Sequence, residues 1–229
     1  MKIYPVGLVI EGRKCVVVGG GRVAERKIKG LIEAGAEVYV VAREVSPAVE
    51  KLIREGRVIA AGSEYYSEIL TGSVLVFAAT DDPDLNKRIS EDARRRGIFC
   101  NNVTDPADGD VIIPALFRDG NLIIAVTTTG ASPALAARLR DRISETVVPV
   151  WKPYLEFMEK WRKFVLGWKA FSGNSQEILR KTAFIVYDLM DRHIPPDEGL
   201  PELKAACENL LPMPLPDELS EEWEDLWKS

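Results

Sequence analysis

The sequence contains few of the side chains that build metal sites and histidine-based catalytic sites. It has one histidine and three cysteines in 229 residues. Cys15, Cys100 and Cys207 are far apart and form no C-x-x-C pair, so we expect buried thiols rather than zinc ligands or a disulfide framework. His193 lies just before two prolines, which indicates a helix end and a surface or capping role. We therefore predict no metal site and no histidine catalysis.

Long apolar runs and an excess of basic residues are also absent. No run reaches the roughly 18 residues that a membrane-spanning helix needs, and the amino terminus does not resemble a signal peptide. The expected location is the cytoplasm, without a membrane partner. The net charge is -5, which does not favour a nucleic-acid partner. Hydrophobic residues make up 46% of the chain, enough for one large domain or two small ones with a real core.

Strand and helix signals alternate from the amino terminus to about residue 112. Continuous apolar runs separated by helices are typical of a parallel sheet covered on both faces. We therefore predict an α/β fold over residues 1–112. The runs predict strands at 14–18, 37–41, 58–61 and 74–79 and from residue 98, and amphipathic spacing predicts helices at 23–34, 47–55 and 82–96.

The pattern changes after residue 112. Arg118-Asp119-Gly120-Asn121 separates two apolar runs, 111–117 and 122–127, which predicts a β-hairpin. Ser132-Pro133 predicts the N-cap and first position of a helix. A stripe of large apolar residues then runs from Tyr154 to Trp168 at helical spacing. We predict a helical C-terminal domain over 148–229, with helices at about 174–191 and 200–210 and an acidic tail from residue 217, which is a solvated helix or a partly ordered end.

A glycine loop follows the first predicted strand. The sequence V-V-V-G-G-G-R-V-A fits the G-x-G-x-x-A fingerprint at Gly19, Gly21 and Ala24. Gly19 permits the tight turn, Gly21 lets a pyrophosphate approach the backbone, and Ala24 keeps the helix close to the sheet. The helix N-terminus offers N–H groups and a positive dipole end to phosphate. We therefore predict a Rossmann-type dinucleotide-binding domain; the alternative is a glycine turn that serves packing alone.

The second strand does not end in the acid that usually binds the adenine ribose. Glu44 is one candidate for this role, one residue late, and Arg43 is a candidate for stacking on adenine or meeting a 2′-phosphate. NAD is the predicted cofactor, with NADP left open. The residues predicted to contact it follow the first, second and fourth strands: Gly19, Gly20, Gly21, Arg22, Val23, Ala42, Arg43, Glu44, Thr80 and Asp81.

Several segments together resemble the precorrin-2 dehydrogenase family, which includes the amino-terminal module of siroheme synthase and related sirohydrochlorin ferrochelatases. The combination of G-G-G-x-V-A-x-R-K with T-x-G-x-S-P-x-L-A-x-R is much more specific than the glycine loop alone. The resemblance covers roughly residues 1–150. It is carried by the stretches 16–27 (VVVGGGRVAERK), 76–81 (VFAATD), 99–106 (FCNNVTDP), 111–114 (VIIP) and 125–138 (AVTTTGASPALAAR).

The resemblance implies a Rossmann domain, a small segment at 113–147 that builds a homodimer, and a helical C-terminal domain. It also implies NAD-dependent dehydrogenation of precorrin-2 to sirohydrochlorin on the route to siroheme. Two alternatives stay open. One is an enzyme that also inserts ferrous iron, and the other is a non-catalytic dinucleotide sensor whose C-terminal region docks on a partner.

The resemblance further implies an acid in the loop after the fifth strand, two residues before a proline. Here Thr104 holds that position and Asp105 directly precedes Pro106. Asp105 is the predicted catalytic residue; the alternatives are that Thr104 disables acid–base chemistry, or that Asp105-Pro106 is merely a turn. A polycarboxylate substrate requires cations and polar groups around it, and the predicted contacts are Lys27, Asn101, Asn102, Ser132 and Arg138.

Overall fold

The structure is a computed structural model that describes residues 2–168 and 173–211. These residues form two compact units that divide between Ile113 and Pro114. The predicted acidic tail from residue 217 lies outside the described residues. Each unit has its own hydrophobic core.

The first unit alternates strands and helices as the sequence predicts. The strands are β1 (Lys14–Val18), β2 (Glu37–Val41), β3 (Ile59–Gly62), β4 (Leu75–Ala78) and β5 (Phe99–Asn102). The helices are α1 (Arg22–Glu33), α2 (Pro47–Arg54) and α3 (Pro83–Arg95), with short 3₁₀ turns at Ser67–Leu70 and Pro106–Asp108. Side-chain caps fix two of the helix starts, because Ser46 caps α2 and Asp82 caps α3.

All five strands are parallel and follow the order β3-β2-β1-β4-β5. The central strand β1 pairs with β2 on one side and β4 on the other, with Val18 level with both Val41 and Ala78. This is the strand order of a Rossmann domain, in which ligands bind where the connections diverge between β1 and β4. The predicted fold class is confirmed.

Both faces of the sheet are covered, as the continuous apolar runs predict. Helices α1 and α2 pack on one face and α3 packs on the other. Cys15 and Cys100 are buried in these two cores, and burial raises the pKa of both thiols above the usual value. Both groups are therefore core side chains and not nucleophiles.

The second unit begins with an antiparallel hairpin of β6 (Ala115–Asp119) and β7 (Leu122–Val126). The predicted hairpin is confirmed, with a shorter loop than the four residues expected. The strands pair as far as Asp119 and Leu122, so only Gly120-Asn121 form the loop. Gly120 has φ +54, and a glycine at the first position of a two-residue loop is what a type II′ turn needs.

Three helices complete the second unit: α4 (Pro133–Gly167), α5 (Ser175–Asp191) and α6 (Pro196–Leu210). Ser132 Oγ accepts a hydrogen bond from the Leu135 N–H at 3.2 Å, so the predicted N-cap is confirmed. Helix α4 runs without interruption across the boundary predicted at residues 147 and 148. Helix α6 starts four residues earlier than predicted, at Pro196. Proline is tolerated at the first helical position because the N–H that it lacks would have no partner within the helix.

The predicted stripe on α4 forms the core of the helical unit. Tyr154, Phe157, Trp161, Phe164 and Val165 are all buried there. The Trp161 ring stacks between two of these neighbours, with centroid distances of 6.1 Å to Phe157 and 5.6 Å to Phe164. This packing explains why so many large aromatic residues fall on one face of one helix.

His193 ends α5 as the sequence predicts. It has φ +55 and is exposed, and its N–H bonds the Met190 carbonyl while the Ile194 N–H bonds the Leu189 carbonyl. These two hydrogen bonds form a Schellman motif, which satisfies carbonyls that a helix end otherwise leaves free. The single histidine thus has a structural role.

The buried hydroxyl of Thr182 generates the first prediction. It accepts a hydrogen bond from the Trp161 indole at 3.0 Å and bonds the Cys207 thiol as well. Thr182→Val leaves the buried indole N–H without this acceptor, so we expect a loss of about 1–3 kcal/mol in the free energy of unfolding. Urea unfolding followed by tryptophan fluorescence measures it, because every tryptophan follows residue 150. Thr146→Val is the matched control, since Thr146 makes the same backbone bond on α4 but is exposed. Equal losses in the two variants would contradict the assigned role.

Candidate functional site

The carboxyl ends of the parallel strands bring four loops to one edge of the sheet. They are residues 19–21 after β1, 42–46 after β2, 79–82 after β4 and 103–105 after β5. All ten predicted cofactor residues lie in these loops or at the start of α1, and the predicted catalytic Asp105 lies in the last of the loops. The topology therefore gathers residues that are far apart in sequence.

Close backbone packing within the protein requires glycine at positions 19 and 20. A Cβ at Gly19 would lie 2.1 Å from the Ala79 carbonyl oxygen, and φ there is +121. A Cβ at Gly20 would lie 2.0 Å from the Glu44 carbonyl oxygen. These distances leave no space for a side chain, so both glycines allow neighbouring loops to approach the first turn.

Gly21 differs, because nothing in the described protein requires it to be glycine. Its φ is -78, which any residue adopts, and an added Cβ would meet no atom within 4 Å. It is the N-cap of α1 and offers no side-chain hydrogen bond to the free N–H groups of the first turn. The open space and unused donors fit a dinucleotide pyrophosphate, which a side chain at Gly21 would displace.

A polar contact fixes the glycine loop against the loop after β2. The Ser46 N–H bonds the Gly20 carbonyl at 3.0 Å, and the Ser46 hydroxyl bonds the Glu25 carboxylate at 2.7 Å. Lys29 also bonds Glu25, and the bonds from Lys29 and Ser46 lower the pKa of Glu25. The start of α1 is thus positioned from both sides before any ligand binds.

The loop after β2 contains the residues predicted to decide between NAD and NADP. The Ala42 N–H bonds the Gly62 carbonyl at 3.0 Å, which keeps this loop close to β3. Arg43 forms an exposed ion pair with Glu64 at 2.9 Å. The Glu44 carbonyl lies against Gly20, and its side chain is exposed. The geometry leaves both candidate side chains accessible to an adenine ribose, so the choice of cofactor stays open here.

Asn86 of α3 connects the loop after β4 with the loop after β5. Its amide nitrogen bonds the Thr80 carbonyl at 2.9 Å and the Thr104 hydroxyl at 2.6 Å, and its oxygen accepts from the Thr80 N–H at 3.1 Å. Asn86 is fully buried. The Asp81 side chain is exposed beside this network. Thr104, which holds the position of the expected acid, is therefore bonded to the scaffold through its hydroxyl.

Asp105 is exposed at the same edge and serves as a local cap. Its Oδ1 accepts a hydrogen bond from the Ala107 N–H at 2.9 Å at the start of a 3₁₀ turn. The Asp105 N–H in turn bonds the Asn102 side-chain oxygen at 3.1 Å. Only one carboxylate oxygen is used by the cap, so the other remains available to a ligand.

The predicted substrate residues fall into both units. In the first unit, Asn101 is buried and donates to the Val111 carbonyl at 2.7 Å, and Lys27 is half-buried against Phe77. Asn102 is also buried, and both ends of its amide are already bonded within the protein. In the second unit, Ser132 caps α4 and Arg138 is exposed on that helix. Their contact with a substrate stays a prediction.

Sequence reasoning missed Asn86, Ser46 and Glu25. Asn86 and Ser90 occupy positions of α3 that face the core beside Ile89 and Ala93. A polar residue in an apolar helical stripe is a detectable signal, because a buried amide needs partners. Ser46 was detectable only as an N-cap; its contact with Glu25 depends on how α1 and α2 meet.

No group of three or more His, Cys, Asp or Glu side chains within residues 2–168 and 173–211 has the geometry to hold a metal ion. Over the same residues, no helix is long and apolar enough to cross a membrane.

Two segments of the chain match known protein families. Residues 6–115 match the family described as putative NAD(P)-binding, and residues 119–146 match the family described as sirohaem biosynthesis protein central. A solved structure named SirC, precorrin-2 dehydrogenase, superposes with a TM-score of 0.72 at 27% identity, covering 90% of this chain and 100% of that one.

Curated relatives are similar in sequence to this chain over a shorter stretch. Siroheme synthase of Methylobacillus flagellatus is 40% identical over 149 residues, covering 65% of this chain and 32% of that protein. Siroheme synthase of Nitrosospira multiformis is 43% identical over 154 residues, covering 66% and 32%. The chain thus spans about a third of the length of these relatives.

The strand order, the open glycine loop and the matching family define a dinucleotide-binding protein of the Rossmann class. In this chain a region that matches the putative NAD(P)-binding family is followed by a region that matches the sirohaem central family. The predicted resemblance to the precorrin-2 dehydrogenase family is confirmed, and the match supports the predicted NAD cofactor.

The contrast between Gly20 and Gly21 generates the second prediction. Gly21→Val should abolish NAD binding and leave the thermal unfolding midpoint nearly unchanged, because the added side chain meets only the ligand space. Gly20→Ala should instead destabilise the fold, since its Cβ would overlap the Glu44 carbonyl. Calorimetric titration with NAD and thermal unfolding measure the two effects. Gly30→Val on the exposed side of α1 is the control that should keep both properties. NAD affinity retained in Gly21→Val would show that this loop does not bind the pyrophosphate.

Proposed function

We propose that this protein is an NAD-dependent precorrin-2 dehydrogenase that produces sirohydrochlorin on the route to siroheme. The observation that carries the proposal is the open space at Gly21, at the start of an uncapped α1, in a chain that continues into the sirohaem central region. The similarity to a precorrin-2 dehydrogenase over 90% of this chain supports the same activity.

The reaction removes a hydride and a proton from the reduced macrocycle. NAD, when bound, supplies the hydride acceptor. The glycine loop and the first turn of α1 hold the pyrophosphate, and the loops after β4 and β5 lie at the end of the sheet where Rossmann domains place the reacting end of the ligand. The proton needs a separate acceptor, either water or a side chain.

Asp105 is the proposed proton acceptor. It is exposed at the carboxyl edge, and its second carboxylate oxygen has no hydrogen-bond partner in the described part of the chain. Thr104 is a weaker candidate, because a neutral hydroxyl already bonded to Asn86 is a poor base. The cap on the Ala107 N–H holds the Asp105 side chain in one orientation.

Substitutions at Asp105 generate the third prediction. Asp105→Asn keeps a cap oxygen for the Ala107 N–H but removes the base, so turnover with precorrin-2 and NAD should fall roughly 100-fold or more while NAD affinity stays near wild type. Asp105→Ala should fall at least as far. Asp108→Ala is the control and should be much milder, since only backbone atoms of Asp108 are bonded to other residues. The rate is measured under anaerobic conditions from the absorbance of the products NADH and sirohydrochlorin. Near-normal turnover in Asp105→Asn would mean that water or another residue takes the proton.

We also propose that the protein is a homodimer. Within the second unit, Leu135, Leu139 and Ile143 form an exposed stripe along α4, and Leu116 and Ile123 are exposed on the outer face of the hairpin. Exposed apolar surface of this extent is typical of a protein interface. The family match at residues 119–146 covers much of the same surface.

Assembly generates the fourth prediction. Light scattering at micromolar concentration should give twice the chain mass of 25.5 kDa for the wild type. Leu139→Glu places a charge in the centre of the exposed stripe and should yield the single-chain mass. Phe184→Glu is the control, because Phe184 is equally apolar and 64% exposed but lies on α5. A wild-type mass of one chain would contradict the proposal.

A further inference from the structure

Lys27 is a charged side chain that the fold places in an unfavourable environment. It is half-buried on the second turn of α1, with its ammonium 5.5 Å from the centre of the Phe77 ring. Phe77 is itself buried, in strand β4 one residue before the carboxyl end of that strand. The Lys27 ammonium therefore lies beneath the ligand-binding edge of the sheet, on the face covered by α1.

No acid neutralises this ammonium. Throughout residues 2–168 and 173–211, Lys27 makes no hydrogen bond and no ion pair, in contrast to Lys29 on the same helix, which bonds Glu25 at 2.6 Å. Burial, and secondarily the charge of Arg26, lowers the pKa of Lys27 to about 8. The other charged groups on α1 and in the loops after β4 and β5 do not pair with Lys27 in the described structure; they are Arg22 and Glu33 on α1, Asp81 and Asp82 before α3, and Asp105, Asp108 and Asp110 after β5.

A buried polar atom without a partner lies at the same level of the sheet. Asn101 of β5 is in register with Phe77, so both side chains face α1. Its amide nitrogen bonds the Val111 carbonyl, but its amide oxygen accepts no hydrogen bond from any described residue although the side chain is buried. Unsatisfied buried groups usually mark a ligand or water position. The half-buried Lys27 ammonium and the buried Asn101 amide oxygen are thus both on the α1 face of the sheet, and neither has a hydrogen-bond partner among the described residues.

We propose that Lys27 is the binding point for an oxyanion of the ligand, a carboxylate of the tetrapyrrole or a phosphate of the dinucleotide, and that binding is coupled to uptake of a proton by Lys27. The inference rests on the proposed function only for the identity of these two ligands. An anion beside the ammonium stabilises its charged form and raises its pKa. The Phe77 ring offsets part of the cost of half-burying this charge in the free protein, and an anion in the complex offsets more of it.

The coupling between ligand binding and proton uptake determines whether ligand affinity rises or falls with pH. Lys27 in the free protein loses its proton around pH 8, whereas Lys27 beside an anion keeps it to higher pH. Ligand affinity should therefore be highest below pH 8 and fall as the pH rises, by up to about tenfold between pH 7 and 9. At pH 8 binding should take up about half a proton per ligand, because a group at its pKa is half protonated.

Isothermal titration in two buffers of different ionisation enthalpy tests the proposal without requiring turnover. NAD and uroporphyrin, a stable polycarboxylate tetrapyrrole, are titrated separately to distinguish phosphate from carboxylate. For the ligand that meets Lys27, Lys27→Met should weaken binding by roughly 10- to 100-fold and abolish proton uptake. Lys27→Arg should bind with little pH dependence from pH 7 to 9, since the guanidinium stays charged.

Lys51→Met is the matched control, because it removes one positive charge from the same unit but from an exposed ion pair with Glu55 at the end of α2. It should keep wild-type affinity and proton uptake. Wild-type behaviour of Lys27→Met with both ligands, or proton uptake with neither ligand in the wild type, would overturn the proposal. Proton-coupled binding without any oxidation of precorrin-2 would instead contradict the proposed function and leave the anion site standing.

Discussion

Two backbone carbonyls lie against the glycine loop, and the arrangement of the binding edge depends on them. The Ala79 oxygen approaches Gly19 and the Glu44 oxygen approaches Gly20, so the loops after β4 and β2 meet directly at the end of β1. Only glycine permits both approaches. These contacts fix the path of the chain into α1, whose N-cap Gly21 has no described atom within 4 Å of an added Cβ and gives the first turn no side-chain cap. The open space at Gly21 is thus a consequence of close backbone packing at the two preceding glycines.

The opposite face of the sheet is organised by polar contacts. Asn86 replaces an apolar residue in the core-facing stripe of α3 and bonds both Thr80 and Thr104. Ser90 continues this network towards Asn102 and Cys100. A buried network of this kind is stable only when its members are satisfied, so a change in one loop affects the other. This coupling accounts for the short, fixed path from β5 to Asp105.

The sequence predicted the elements well because local patterns determine them. Apolar runs, N-caps and the glycine fingerprint located every strand of the sheet within about two residues of its observed bounds, and they predicted the hairpin and the α4 cap at Ser132. It could not predict contacts between elements that are remote in sequence. The pairing of Arg43 with Glu64, the Asn86 network and the contact of Lys27 with Phe77 all depend on how strands and helices come together. The start of α6 was missed since proline was interpreted as ending a helix, whereas Pro196 begins one.

The lysines of α1 show how the same residue type is used for stability and for binding. Lys29 satisfies Glu25, which in turn bonds Ser46 and thereby fixes the loop that holds Gly20. Its charge is compensated within the free protein. Lys27 lies two positions away on the sheet-facing side, where its ammonium contacts the Phe77 ring but pairs with no described carboxylate, although Glu25 is on the same helix. A chain selected only for stability would gain by pairing or removing this charge. That the fold keeps this charge without a carboxylate partner among the described residues, beneath the edge where the glycine loop opens, is the strongest physical reason to assign it to the ligand.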